Sequence, residues 1–214
     1  MTPASHICPH CMQPTEHALR DLFYYTCRSC AEVFIHYDSR PTVPEALFKL
    51  VETCSPVAIG SRGKAGGRAF EVSGTATLFQ ERGMILVHAL VWEDVLPGFL
   101  IEDGSNFFVV DAVQSLDPTL FKKTGLGKIR EIAAFGKAYC YSMDKIGCIA
   151  LSGTGKLAFP KYSQSVCCSF YKENDKGAYA FISKSEASFL SGKFYNFGVL
   201  QLSPQRSLHD WNTR

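Results

Sequence analysis

Four cysteines near the amino terminus, spaced Cys-x(2)-Cys-x(15)-Cys-x(2)-Cys, constrain this chain more than any other feature: Cys8, Cys11, Cys27 and Cys30. A Cys-x-x-Cys turn sets two thiolates on one side of a tight loop, and two such turns facing each other make a complete tetrahedral shell for one Zn²⁺. The spacing predicts a zinc ribbon over residues 1–40. With four protein ligands the ion keeps no open position for water or substrate, so the expected metal is structural. His6, His10, His17 and His36 fall in the same stretch, but the cysteines already saturate the ion and the histidines are expected to stay off it. Residues 19–25 and 33–37 are crowded with aromatic and β-branched side chains and read as short strands. So small a unit buries little apolar surface, which makes the metal its main source of stability.

The other five cysteines, Cys54, Cys140, Cys148, Cys167 and Cys168, are odd in number and lack the spacing of a disulfide framework. They read as reduced thiols. A hydrophobic content of 46% with 20% charged residues is that of a soluble globular protein. No run approaches the roughly 18 to 20 apolar residues of a membrane span, and the chain does not open on a basic stretch followed by an apolar one. The expected location is cytoplasmic. A formal net charge of +2 is far from the strongly basic balance of a chain that relies on phosphate contacts. A nucleic-acid partner is permitted by it but not suggested.

Beyond the ribbon, residues 41–56 read as a linker with a short helix. Pro44 suits a first helical turn, Glu45 suits the positive end of the helix dipole, and Leu47, Leu50, Val51 and Cys54 recur at helical spacing until Pro56 ends the run. On that stripe Cys54 is expected to be a small core residue. From 57 to 202 the pattern changes to short strands punctuated by glycine. Residues 69–79 and 84–92 form an expected hairpin, its second arm apolar on both faces apart from His88. Asp103-Gly104 marks a tight turn between 99–102 and 106–110. Further strands are expected at 138–143, 146–152, 165–172 and 178–182, a helical turn at 185–190, a final strand at 194–202, and a tail at 203–214. The fold class is therefore mainly β: a zinc ribbon, then a β-rich twisted sheet or partly open barrel with one or two short helices.

No catalytic set is legible. Gly-Lys pairs recur at Gly63-Lys64, Gly127-Lys128, Gly136-Lys137, Gly155-Lys156 and Gly192-Lys193, but none has the upstream glycine and following Ser/Thr of a phosphate loop. They are expected to be turns before strands. The basic run 122–130 has no interleaved aromatic residues and reads as a solvated loop. Cys167 or Cys168 with His88 would be the candidates for nucleophilic catalysis, yet adjacent strand residues point to opposite faces, so one cysteine is expected in the core and the other at the surface. Glu93 and Asp94 diverge for the same reason and suit a strand end.

Several phrases carry a resemblance. Ile59-Gly60-Ser61-Arg62-Gly63-Lys64 through Phe70-Glu71-Val72-Ser73-Gly74, the step Trp92-Glu93, Phe99-Leu100-Ile101-Glu102-Asp103-Gly104, and Gly136-Lys137-Ala138-Tyr139 through Gly153-Thr154-Gly155-Lys156-Leu157 are similar to a bacterial family known only as the domain of unknown function "four-one-seven-eight". Phe99 stands where that family usually has tryptophan, and the loop between Trp92 and Phe99 is short. The resemblance spans residues 57–202 and implies no established activity. Members often follow a zinc ribbon, and their genes tend to lie near those of phage-shock-like envelope-stress proteins and polyamine aminopropyltransferases, which implies an accessory or adaptor role.

Three functional expectations follow. The first is a non-enzymatic interaction module in which one structural Zn²⁺ fixes the ribbon and the β-domain presents a face to a protein partner. The second is nucleic-acid binding through Arg20, Arg28, Arg40 and the 122–130 loop. The third is an enzyme with its site on the β-domain, built on His88 and a cysteine.

Overall fold

The structure, a computed structural model, describes residues 4–17, 24–37, 40–42, 55–81, 83–122, 124–132, 135–155 and 165–203. Two small hairpin units come first: β1 (Ala4–Ile7) with β2 (Pro14–His17), then β3 (Tyr24–Thr26), β4 (Val33–Tyr37) and β5 (Arg40–Thr42). The longer strands are β6 (Arg62–Ala65), β7 (Arg68–Gln80), β8 (Gly83–Trp92), β9 (Pro97–Asp103), β10 (Asn106–Leu116), β11 (Ile129–Ile132), β12 (Gly136–Gly155), β13 (Val166–Tyr171), β14 (Lys176–Ile182) and β15 (Ala187–Tyr195). The molecule is mainly β. Neighbouring strands run β12-β13-β14-β15-β10-β9-β8-β7, and β7 pairs again with β12, so the hydrogen bonding passes around a ring.

The ring explains the apolar run in β8. Ile85 and Val87 join a core to which every strand of the ring contributes, among them Leu78, Ile101, Phe108, Ile149, Cys167, Phe181 and Leu190. The alternate residues Leu90 and Trp92 join a second core with Phe70, Val72, Leu100 and Phe107, covered by Val57, Leu200 and Leu202. On another part of the outer face Phe121, Cys140, Cys168, Phe170 and Phe189 make a third core. Because a strand's side chains alternate in direction, covering both faces demands apolar residues at nearly every position.

Closure falls on β12, whose first half pairs with β13 and whose second half pairs with β7. Register shifts between Cys140 and Ser142 and between Ile146 and Cys148 bend it. At the closing end Gly153 has φ +71 opposite Gly74, and a Cβ on Gly74 would run into the backbone of Thr154. The last two residues of β12 pair with the ribbon: Thr154 faces Tyr25 and Gly155 faces Tyr24. Tyr24 enters the core of the ring, in space that any side chain at Gly155 would occupy.

Several sequence expectations are corrected. The strands expected at 138–143 and 146–152 are one strand of 20 residues, since Asp144-Lys145 offers no reversing glycine or proline and the two bulges absorb the bend. The helical turn expected at 185–190 lies within the turn after β14 and within β15, which is paired on both edges and buries Phe189 and Leu190 in different cores. The final strand expected at 194–202 ends at Tyr195, and a 3-10 turn, Phe197–Leu200, drops Leu200 onto the second core. Pro41 and Thr42, at the start of the expected linker, belong to a strand, Arg40–Thr42, paired with β4. Gly63-Lys64 and Gly192-Lys193 lie inside β6 and β15, not in turns before them. Cys167 and Cys168 do point to opposite faces, but both are buried because both faces are covered. The helix expected before Pro56, with Cys54, lies outside the described residues, as do Arg20 and residues 204–214.

Candidate metal centre

Two turns of like geometry hold the four cysteines. In each, the amide of the residue four after the first cysteine donates to that cysteine's carbonyl: Met12 to Cys8 at 2.8 Å and Ala31 to Cys27 at 2.9 Å. The first cysteine's own amide then donates five residues ahead, Cys8 to Gln13 at 3.0 Å and Cys27 to Glu32 at 2.8 Å. Met12 and Ala31 take left-handed φ values of 60 and 58, which turn the chain back out of each knuckle. The sulfur atoms of Cys8, Cys11, Cys27 and Cys30 lie within 4.8 Å of one another. Cys8 Sγ is 3.7 Å from Cys30 Sγ, and Cys11 Sγ is 3.6 Å from Cys27 Sγ.

A tetrahedral ion with metal–sulfur bonds of about 2.3 Å places its ligands about 3.8 Å apart. The thiols fit such an ion with little movement. Their electrostatics point the same way. Burial opposes ionisation of Cys27, but the amides of Cys30 and Ser29 together with hydrogen bonds from the Cys11 and Cys30 thiols outweigh it and lower its thiol to about 6. The Glu32 amide favours a thiolate at Cys30, yet burial and the surrounding sulfurs override it and push that thiol up to about 12. Four sulfurs this close resist ionising together, and a bound cation removes that conflict by holding them as thiolates. Cys8 and Cys27 are buried with Tyr25 and Phe34, and Val91 of β8 packs against this cluster. The cluster is thus a four-cysteine site able to hold one metal ion, seated against the sheet.

Between the second knuckle and the sheet lies a cleft of about 920 Å³, within the usual range for ligand sites. Thr26, Cys27 and Arg28 form one wall, and Phe70, Val72 and Trp92 lie on another. Arg68 stacks over Trp92 at 4.6 Å and holds Asp94 through both carboxylate oxygens at 2.9 and 3.0 Å. Asp94 therefore has the strand-end role expected of it.

His88 has other partners than a cysteine. Its Nδ1 meets Thr75 Oγ1 at 2.9 Å and its Nε2 meets Glu102 Oε2 at 3.2 Å. The same Glu102 oxygen accepts from Ser55 Oγ at 2.5 Å. All but Thr75 are buried, so this chain of polar groups satisfies a carboxylate under the outer face and is closed to substrate. Glu102, Ser55 and Thr75 were not singled out by sequence reasoning. The available signal was a glutamate two residues after Leu100, on the strand face that His88 shares. We expect His88→Ala to lower the unfolding free energy by about 2 kcal/mol, Ser55 still satisfying one oxygen, as read from urea midpoints.

Three further thiols among the described residues are closed to solvent. Cys140, Cys167 and Cys168 are free and buried. Burial raises the Cys167 thiol, and hydrogen bonding to Cys140 followed by burial raises that of Cys168. Among the described residues no helix is long and apolar enough to cross a membrane. No family model, curated protein or solved structure matches this chain.

Proposed function

We propose that this protein is a non-enzymatic, zinc-dependent binding module whose second knuckle forms one side of a cleft for a protein partner. The observation that carries this reading is the shared wall: Cys27, a metal ligand, lines the cleft together with Arg28 and the β6–β8 face. Four thiolate donors in a tetrahedron select zinc or an iron–sulfur centre, and two Cys-x(2)-Cys knuckles favour zinc. Such an ion has no vacant position for chemistry, and its part is to hold the wall. The cleft combines apolar lining with charges of both signs, Arg28, Lys64 and Glu93 beside the Arg62–Glu71 ion pair, which suits an apolar side chain flanked by polar neighbours. The resemblance to the "four-one-seven-eight" family adds an accessory role in a bacterial membrane-stress or polyamine-related system.

The test compares the full chain with Ile59→Glu and Arg28→Glu in nuclease-treated pull-downs from native lysate. Both positions line the cleft and are exposed, so neither change disturbs the cores. A partner retained by the full chain after nuclease and lost with both variants supports the reading. Recovery that depends on intact nucleic acid and falls steeply with salt replaces it with nucleic-acid binding, and Arg28 is then the first contact to examine.

A further inference from the structure

A second cavity, of about 560 Å³, opens at one end of the ring, away from the metal and the cleft. Five aromatic residues line it: Tyr139 and Tyr141 of β12, Tyr171 at the end of β13, and Phe194 and Tyr195 at the end of β15, the Tyr195 ring packing against the second core. Tyr139 and Tyr171 face each other in register across β12 and β13, and they remain 44% and 46% exposed. The Tyr171 and Phe194 rings are 6.3 Å apart and tilted by 35°, an open wall more than a closed stack. Leaving large apolar faces in water is costly, and several converging on one cavity mark a binding surface.

Asp175 is the charged residue in the cavity lining; Lys176, next to it in the chain, and Lys193, paired with Lys176, are not among the lining residues. Lys172, next in the chain to Tyr171, donates to the Phe135 carbonyl at 2.7 Å and sits 5.1 Å over the Phe135 ring, so its charge is engaged elsewhere. Asp175 makes no ion pair among the described residues. Behind Tyr141 runs a relay of hydroxyls. Tyr179 donates to Asp103 at 3.3 Å, which leaves Tyr141 to donate to Tyr179 at 3.1 Å. A phenol that donates toward a carboxylate has a more electron-rich ring, and that ring faces the cavity. Burial holds the Tyr141 hydroxyl up to about 12, so it keeps its proton at neutral pH.

We propose that this cavity is an aromatic cage for an organic cation carrying a methylated ammonium head, with the tyrosine faces providing the attraction and Asp175 the countercharge. Anions are disfavoured by the carboxylate in the lining. A methylated ammonium has little to gain from hydrogen-bond donors and much from several π faces at once, and Tyr139, Tyr141, Tyr171 and Phe194 are the residues that can supply them, since the Tyr195 ring packs against the second core. The site is independent of the metal and of the cleft.

The experiment titrates the full chain with choline and, separately, with its neutral isostere 3,3-dimethyl-1-butanol and with maltose, following amide and tyrosine ring resonances. Choline is expected to bind saturably, shifting signals of Tyr139, Tyr171 and Asp175, with the isostere about tenfold weaker or more. Tyr171→Leu, which keeps an apolar strand residue and removes the π face, should weaken choline by about tenfold, and Asp175→Asn should weaken choline without affecting the isostere. Equal binding of choline and its isostere would mean a merely apolar pocket and overturn the proposal. Maltose binding in place of choline would overturn it in favour of a neutral sugar site. Failure of choline to saturate, or shifts scattered away from the cavity, would also overturn it.

Discussion

Chelation of the full chain with excess EDTA at neutral pH is expected to collapse the amide dispersion of residues 4–17 and 24–37 while leaving that of the ring strands in place. Zinc binding in comparable small units is worth about 10–16 kcal/mol at pH 7, and the unit around this site has little else. Its buried cluster is Cys8, Tyr25, Cys27 and Phe34. The cores of the ring contain none of the four ligands, and the ribbon reaches the first of them through Tyr24 with Val33 packed against it. Tyr24 is the point of overlap, and the amides of Tyr24 and Gly155 should report the loss on the ring side. Cys27→Ser should reproduce the effect, and added zinc should reverse chelation but not the substitution. A spectrum unchanged by EDTA would remove the metal from the account, and a cooperative loss of every strand would remove the independence of the ring. Acid acts in the same direction. Protons compete with the metal for the thiolates, so its affinity falls as the pH is lowered.

The second large effect is expected inside the ring. Phe108→Ala should cost about 3–5 kcal/mol, a large part of the stability of a domain this size, read from the urea midpoint at unchanged slope. The side chain is fully buried, with its ring centroid 5.1 Å from that of Tyr179 and 5.0 Å from that of Phe194. Both neighbours are anchored in paired strands and cannot close in on the space left behind. Phe108→Leu should cost less, about 1–1.5 kcal/mol, because most of the volume is kept. A loss below about 1 kcal/mol for the alanine variant would mean that the core relaxes and that the ring is looser than its packing indicates.

The parts legible in the sequence were those encoded by local pattern. The cysteine spacing foretold the four-sulfur cluster, and Asp103-Gly104 foretold the turn between β9 and β10. The hairpin of β7 and β8 followed from its two apolar runs and the polar turn between them. What escaped was set by distant partners. Nothing in residues 138–152 shows that β12 leaves β13 for β7 halfway along, since the handover is decided by strands far away in the chain. Residues 187–190 have an ambiguous period, and only pairing with β10 and β14 makes them a strand. One of Cys167 and Cys168 was expected at the surface, because the cover over the Cys168 face comes from Phe121 and Ile132, which no alternation within β13 can announce. In the same way the aromatic cavity gathers residues from four strands and the loops beside them, each unremarkable where it stands.

The glycine pair that closes the ring bears on how the chain reaches this shape. Most strand contacts here join neighbours in sequence, so β6 to β10 and β13 to β15 can zip as local hairpins. Gly74 and Gly153 can meet only after nearly all of the strands between them are in place. Loop-closure entropy is then spent late and over a long chain, which puts this protein among the slow, non-local folders, on the order of milliseconds to seconds. Until that last seam joins, β7 and the second half of β12 are open edges, and the interval before they meet is when this chain is most exposed to pairing with another copy of itself.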